Sequence, residues 1–324
     1  MGKLVVIRRG RLEVAGHDMT MTAILGLVVI ALAIIANPLT NYIFFTAANL
    51  TNLMRQMTTI GLLSLGMLFV ILTGGVDLSV GSVVAFSAIF AAGAAVHWEL
   101  PIWVSFMLGI ATGAGWGLVS GTIIAWFKLA PFVVTLAMMT TIRGLTYVYS
   151  EIAISTRTVP SFTVLGSAVV SGFPVSTMIM AAFFLLGAIF LNRTPLGRST
   201  IAIGGNRETV RLAGISVEKG ITSAYVISGI CAGVGGVLLA SRLGNIQPSL
   251  GIAFELDAIA ACVIGGASLS GGKGTVQGTL MGVLILSVVN NLLSLRNVDS
   301  YWQLVFKGVI IIAVVLLHSR SQKR

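Results

Sequence analysis

The sequence predicts an all-α protein that crosses a membrane about ten times, with both termini on the cytoplasmic side. Three observations predict it. Of 324 residues, 56% are hydrophobic and only 9% charged, against about 25% charged in soluble domains. The mean hydropathy is +1.00. The polar residues that remain are concentrated between long apolar runs, each about the length that crosses a bilayer.

Those runs place spans near 20–38, 58–73, 76–96, 101–126, 131–150, 174–191, 221–240, 253–267, 274–294 and 301–318. The first follows Lys3, Arg8, Arg9 and Arg11. It resembles a secretory leader, but its apolar run is long and further spans follow, so it reads as a helix that stays. Residues around Asn41 to Met54 are expected to lie along the interface. Basic residues set the orientation. Arg8, Arg9 and Arg11 mark one cluster, Arg193, Arg198, Arg207, Arg211 and Lys219 a second, and Arg320, Lys323 and Arg324 a third. Ten crossings put all three on the cytoplasmic side. The whole chain, 1–324, reads as one transmembrane domain, and 192–220 as its cytoplasmic loop.

The formal net charge of +10 does not indicate nucleic-acid binding, because the bases form three topological clusters and no surface stripe. Cys231 and Cys262 lie inside apolar runs, without the spacing of a redox pair or metal site. His17, His97 and His318 have no ligand partner at helical spacing, and no G-x-S-x-G or H-E-x-x-H motif occurs. Neither a metal, a cofactor nor catalysis is expected. The run "GGASLSGGKGT" from Gly265 imitates a phosphate-binding loop. Counted back from Lys273, however, the first glycine position is Ala267, and Gly274 replaces the Ser or Thr. Any ATP hydrolysis therefore belongs to another chain.

Helix packing is written in small residues. Gly109, Gly113, Gly117 and Gly121 recur every fourth position in the fourth span, and Gly278 and Gly282 repeat the device in the ninth. Two further stretches share the outline G-G-x-[DS]-L-S-x-G, "GGVDLSVG" from Gly74 and "GGASLSGG" from Gly265. One reading is a tight turn, in which Gly74, Gly75, Gly81, Gly265 and Gly266 make the break and Asp77 caps the third helix. The other is a broken helix lining a transport path, with Asp77 and Ser79 facing it. Among intramembrane polar residues, Thr135, Arg143, Asn290 and Asn291 are candidates for that path, and Arg143 is expected to meet a cavity or a carboxylate. Glu255 and Asp257 open the eighth span and read as caps, while Lys307 lies within the tenth. In the cytoplasmic loop, Asn206 is expected to cap a short helix from Arg207 to about Ala213, with Glu208 in its first turn and Gly214 as its stop. A helix that short must dock on something.

The segments "GGVDLSVGS", "IGGNRETVRLAGI", "ELDAIAACVIGGASLSGGKGT" and "VVNNLL" occur in an order that resembles the monosaccharide permeases of bacterial ABC importers, ribose permeases above all. The resemblance runs from about Asn49 to His318. It implies a multi-pass subunit of the bacterial inner membrane that works by alternating access. Its partners would be a second permease subunit, identical or not, a cytoplasmic ATP-binding subunit, a periplasmic sugar-binding protein and the lipid bilayer. Asn206, Arg207, Glu208, Thr209, Arg211, Leu212 and Gly214 match the family's coupling helix. Where other ABC permeases show Glu-Ala-Ala, this chain has Glu208-Thr209-Val210. The competing readings are a self-sufficient ion-coupled transporter, which would need intramembrane acids, and a permease for another pentose, a hexose or a furanose-like signalling molecule.

Overall fold

A computed structural model describes residues 2–299, 301–309 and 312. Among the described residues the α-helices up to Leu295 are α1 (Gly2–Leu39), α2 (Ala47–Leu72), α3 (Val80–Val96), α4 (Ile102–Trp126), α5 (Pro131–Tyr149), α6 (Val164–Ser167), α7 (Val175–Arg193), α8 (Pro195–Gly205), α9 (Arg207–Leu212), α10 (Val217–Leu243), α11 (Phe254–Ile264) and α12 (Val276–Leu295). Residues 301–309 are also helical. Seven of these helices are long and apolar enough to cross a membrane: α1 from Met21 onward, α2, α4, α5, α7, α10 and α12. The apolar α3 is shorter. The part of the expected tenth span beyond 312, and the basic tail, lie outside the described residues.

Burial sorts the helices into a centre and a periphery. The apolar windows of α2 and α10 are 83% and 78% buried, against 22% to 28% for α4, α5 and α7. Glycine explains how α4 fits against α10. A Cβ on Gly117 would collide with the Tyr225 carbonyl, one on Gly121 would lie 3.0 Å from the Thr222 Cα, and one on Gly113 would collide with the Gly229 carbonyl. Bare backbones can therefore touch, where dispersion at close range replaces the hydrophobic drive that lipid does not provide. Gly278 and Gly282 seat α12 on α11 in the same way, against the backbones of Gly265 and Ala261.

The connections gather at two opposite ends of the bundle. At one end, Gly272 N–H donates to the Leu72 carbonyl at the foot of α2, beside α8. At the other, Ile154–Ser155 pairs antiparallel with Asn245–Ile246, and Arg296 donates to the Leu39 carbonyl at the head of α1. A small cap built from a 3₁₀ turn (Pro160–Thr163), α6 and a Val169–Val170 with Phe173–Pro174 ladder covers this second end. Ser241 fastens it, donating to the Phe162 carbonyl and accepting from Gly166 N–H.

Several expectations are corrected. The interfacial segment expected up to Met54 is helical from Ala47, capped by Thr46, whose Oγ1 accepts from Asn49 N–H. The 76–96 span is helical only from Val80. The 253–267 span holds an 11-residue helix, about 16 Å long and half a hydrocarbon core. The loop 192–220, expected on the cytoplasmic side, contains an unforeseen helix, α8, started by Thr194, whose Oγ1 accepts from Gly197 N–H, and by Pro195 at its first position.

Candidate functional site: a broken span and a glycine junction

The third span starts late, after a non-helical stretch from 73 to 79. α2 ends at Leu72, and Gly74 turns the chain with φ +78°, a conformation that a side chain disfavours. From there the chain runs without helix to Ser79, packed against α5 and α10. The Thr135 hydroxyl donates to the Val76 carbonyl at 3.2 Å. Gly75 lies so close to the Tyr225 hydroxyl that a Cβ would stand 2.7 Å from it.

Asp77 is buried in this stretch, 2% exposed. Its Oδ1 accepts from Ser79 N–H at 3.0 Å and from the Ser79 hydroxyl at 2.6 Å. Its Oδ2 accepts from the Ser228 hydroxyl of α10 at 2.9 Å. Ser228 lies eleven residues beyond the start of α10, so Asp77 sits about 16 Å along that helix. The expectation that Asp77 caps the third helix is corrected. Ser79 holds the N-cap position, its hydroxyl is turned to Asp77, and Asp77 closes an Asx turn before the helix. Three donors compensate a carboxylate that water does not reach.

A second interruption faces the first. α11 starts after Gly251 (φ +76°) and Ala253 (φ +66°), and Ala253 offers no side-chain cap. The Gly251 carbonyl packs on Gly81, which has no room for a Cβ, and Glu255 Oε2 would lie 2.5 Å from one. Glu255, in the first turn of α11, accepts from the Ala253 and Glu255 backbone N–H groups, as the capping reading expects, whereas the capping role expected of Asp257 is corrected. Glu255 lies against the start of α3, and Asp257 pairs with Lys307 at 2.8 Å. At the other end of α11, Gly265 stops the helix against the Gly278 carbonyl and Gly266 turns with φ +89°, as the turn reading expects.

Three glycine pairs meet at the α8 end of the bundle. A Cβ on Gly204 would strike the Leu72 carbonyl and Gly272 N, and one on Gly271 would lie 2.9 Å from Gly74. The pairs Gly74–Gly75, Gly204–Gly205 and Gly271–Gly272 thus bring the foot of α2, the end of α8 and the α11–α12 connection into backbone contact. Arg207, first residue of α9, donates across this junction to the Thr73 carbonyl at 3.2 Å.

α9 has the expected caps. Asn206 Oδ1 accepts from Thr209 N–H at 3.0 Å, and Gly214 (φ +76°) follows the C-cap. Val210 is buried and anchors the helix, while Glu208, Thr209, Arg211 and Leu212 are exposed, Leu212 at 82%. Arg211 pairs with Glu208 at 3.5 Å and Glu218 at 3.4 Å, exposed contacts of little energetic weight.

The remaining candidates separate. Arg143 is half-buried and meets carbonyls: its Nη1 donates to Pro248 O and Leu250 O, both at 2.7 Å. The partner carboxylate expected for it is not among the ion pairs of the described residues. Asn291 forms a reciprocal amide clasp with Asn49, 2.9 and 3.0 Å, tying α12 to α2. Asn290 is half-buried beside it. Ser228, Tyr225 and Asn49 were missed because a lone Ser, Tyr or Asn in an apolar helix carries no motif; only the tertiary fold pairs them. No group of three His, Cys, Asp or Glu poised to hold a metal occurs among the described residues.

A bundle of apolar helices with an interrupted centre defines a multi-pass membrane protein of the transport class. The chain belongs to the family of permease components of the branched-chain amino acid transport system, whose model matches residues 49–315. It is 42% identical to the ribose import permease protein RbsC of Bacillus subtilis (strain 168) over 96% of each chain. It is 40% identical to RbsC of Haemophilus influenzae over 90% of each. The L-arabinose transport system permease protein AraH of Escherichia coli (strain K12) is 36% identical over 92% of this chain and 90% of its own. No solved structure matches.

Proposed function

We propose that this chain is the membrane-spanning subunit of a binding-protein-dependent ABC importer that carries a monosaccharide, ribose first, across the bacterial inner membrane. About ten spans, with both termini cytoplasmic, agree with the alternating connections and with the basic residues around α8 and α9. The observation that carries the reading is the tie between α9 and the non-helical stretch before α3. α9 presents Glu208, Thr209, Arg211 and Leu212 outward, while Arg207 holds Thr73, one residue before the turn at Gly74. A separate ATP-binding subunit seated on α9 would move the glycine junction, and with it the segment carrying Asp77. A periplasmic sugar-binding protein would deliver cargo at the opposite end, under the cap at 154–174. A second permease subunit would complete the path, which opens to either side in turn.

The relatives named for ribose and for L-arabinose favour a pentose, and L-arabinose is the second reading. An ion-coupled transporter has less behind it: Asp77 is held by three donors and Asp257 by Lys307, and among the described residues Glu255 alone does not make a chain of acids for a proton or cation. The test is co-purification with the co-expressed ATP-binding subunit, followed by ATPase assay with sugar-loaded binding protein. Uptake driven by an ion gradient with no ATPase subunit would overturn the reading.

A further inference from the structure

α5 buries one stripe and exposes the other. Val134, Met138, Ile142 and Thr146, each four residues from the last, are buried, and α5 packs through them on the rest of the bundle. The opposite side is open, and part of it is not lipid-like. Thr140 and Tyr147 are exposed, and Arg143, half-buried, lies between them at helical spacing. The α10–α11 connection continues this polar strip. Arg143 binds the Pro248 and Leu250 carbonyls, Gln247 is exposed, Ser249 is half-buried and Glu255 stands partly exposed beside Gly81. Arg143 and Glu255 both border this strip, and no ion pair joins them among the described residues.

Polar side chains and a bent backbone exposed on a spanning helix are costly in hydrocarbon, and are tolerated where they face water or protein. The strip also lies in the half of α5 nearer the capped end, where the α10–α11 connection enters. We propose that Thr140, Arg143, Tyr147, Gln247, Ser249 and Glu255 form the cargo-facing wall of the translocation path, and that Arg143 and Glu255 together suit it to an uncharged, polyhydroxylated cargo. One cation and one carboxylate on the same wall leave little net charge to trap an ion. Arg143 already gives two hydrogen bonds to carbonyls, so its charge is partly spent before any carboxylate arrives. Hydroxyl, amide and carboxylate groups remain to exchange short-lived hydrogen bonds with a sugar, weak enough for release.

The inference rests on the importer reading, and the experiment separates the two. Cys231 and Cys262 are buried, so the chain offers a quiet background for thiol labelling. Thr140→Cys, Tyr147→Cys and Ser249→Cys are placed singly in the reconstituted importer and treated with a charged, membrane-impermeant thiol reagent. Leu185→Cys, on the exposed apolar face of α7, is the control. The three strip thiols are expected to react and the control not to, with ribose-loaded binding protein slowing the reaction. Glu255→Gln is expected to lower ribose moved per ATP hydrolysed about fivefold, with ATPase stimulation within about twofold of the parent. Strip thiols no more reactive than the control would overturn the assignment, as would uptake and ATPase falling in parallel. Absence of sugar-stimulated ATPase in the parent complex, with strip thiols still labelled from water, would instead overturn the importer reading.

Discussion

Asp77 Oδ2 accepts a hydrogen bond from Ser228, 151 residues further along the chain, at 2.9 Å. The pair fastens the unwound part of the third span to the middle of α10. Ser228→Ala removes one of three donors from a buried carboxylate, a loss of about 1.5–3 kcal/mol, read as a lower melting temperature of the purified complex. Asp77→Asn keeps an acceptor for Ser79 and an amide that can donate to the Ser228 oxygen. Most ribose uptake is expected to survive in that variant. Abolished uptake in a folded Asp77→Asn complex would mean that the charge itself gates the path.

The glycine junction makes a sharp comparison between neighbours. A methyl group on Gly204 meets the Leu72 carbonyl and Gly272 N, both backbone, whereas one on Gly205 meets nothing within 4 Å. Gly204→Ala is expected to lose sugar-stimulated ATPase or to fall in yield. Gly205→Ala, near a helix end, is expected to change stability by less than about 1 kcal/mol. Equal behaviour of the two in the same assay would contradict the junction.

Asn49 and Asn291 share two side-chain hydrogen bonds. Asn49→Ala and Asn291→Ala each remove the clasp, and Asn49→Ala also removes the donation from Asn49 Nδ2 to the Phe44 carbonyl, so the double variant should cost little more than Asn49→Ala alone. A coupling energy of about 0.6–2 kcal/mol is expected from a double-mutant cycle on unfolding of the detergent-solubilised protein.

Asp257 and Lys307 form the one ion pair among the described residues that involves a buried carboxylate. Asp257→Leu alone strands the ammonium and Lys307→Met alone strands the carboxylate, and both are expected to destabilise. The double variant replaces the pair with apolar volume and is expected to be more stable than either single one. Thermal unfolding of the four proteins decides it.

Much of this fold was legible in the sequence, because lipid demands long apolar runs and leaves small residues to organise contact. The Gly109–Gly121 series and the caps at Asn206 and Gly214 follow from local chemistry alone. The late starts of these spans were half legible. Gly74 and Gly251 carry positive φ, but a glycine pair reads alike at a membrane-edge turn and in mid-membrane, and depth is set by contacts such as Asp77–Ser228. α8 escaped because its sequence, Pro195–Gly205, is short and not strongly apolar; Thr194 and Pro195 were its local signals. Arg143 was singled out as an intramembrane charge, yet its partners are carbonyls, which no sequence pattern announces.

The most direct measurement is the ATPase rate of the chain co-purified with its ATP-binding subunit, with and without ribose-loaded binding protein. It is made for the parent and for Arg207→Ala/Glu208→Ala/Arg211→Ala. The account predicts several-fold stimulation in the parent, and in the triple variant loss of the ATP-binding subunit or of stimulation, with the helical fold intact. Full stimulation and uptake in the triple variant would contradict it.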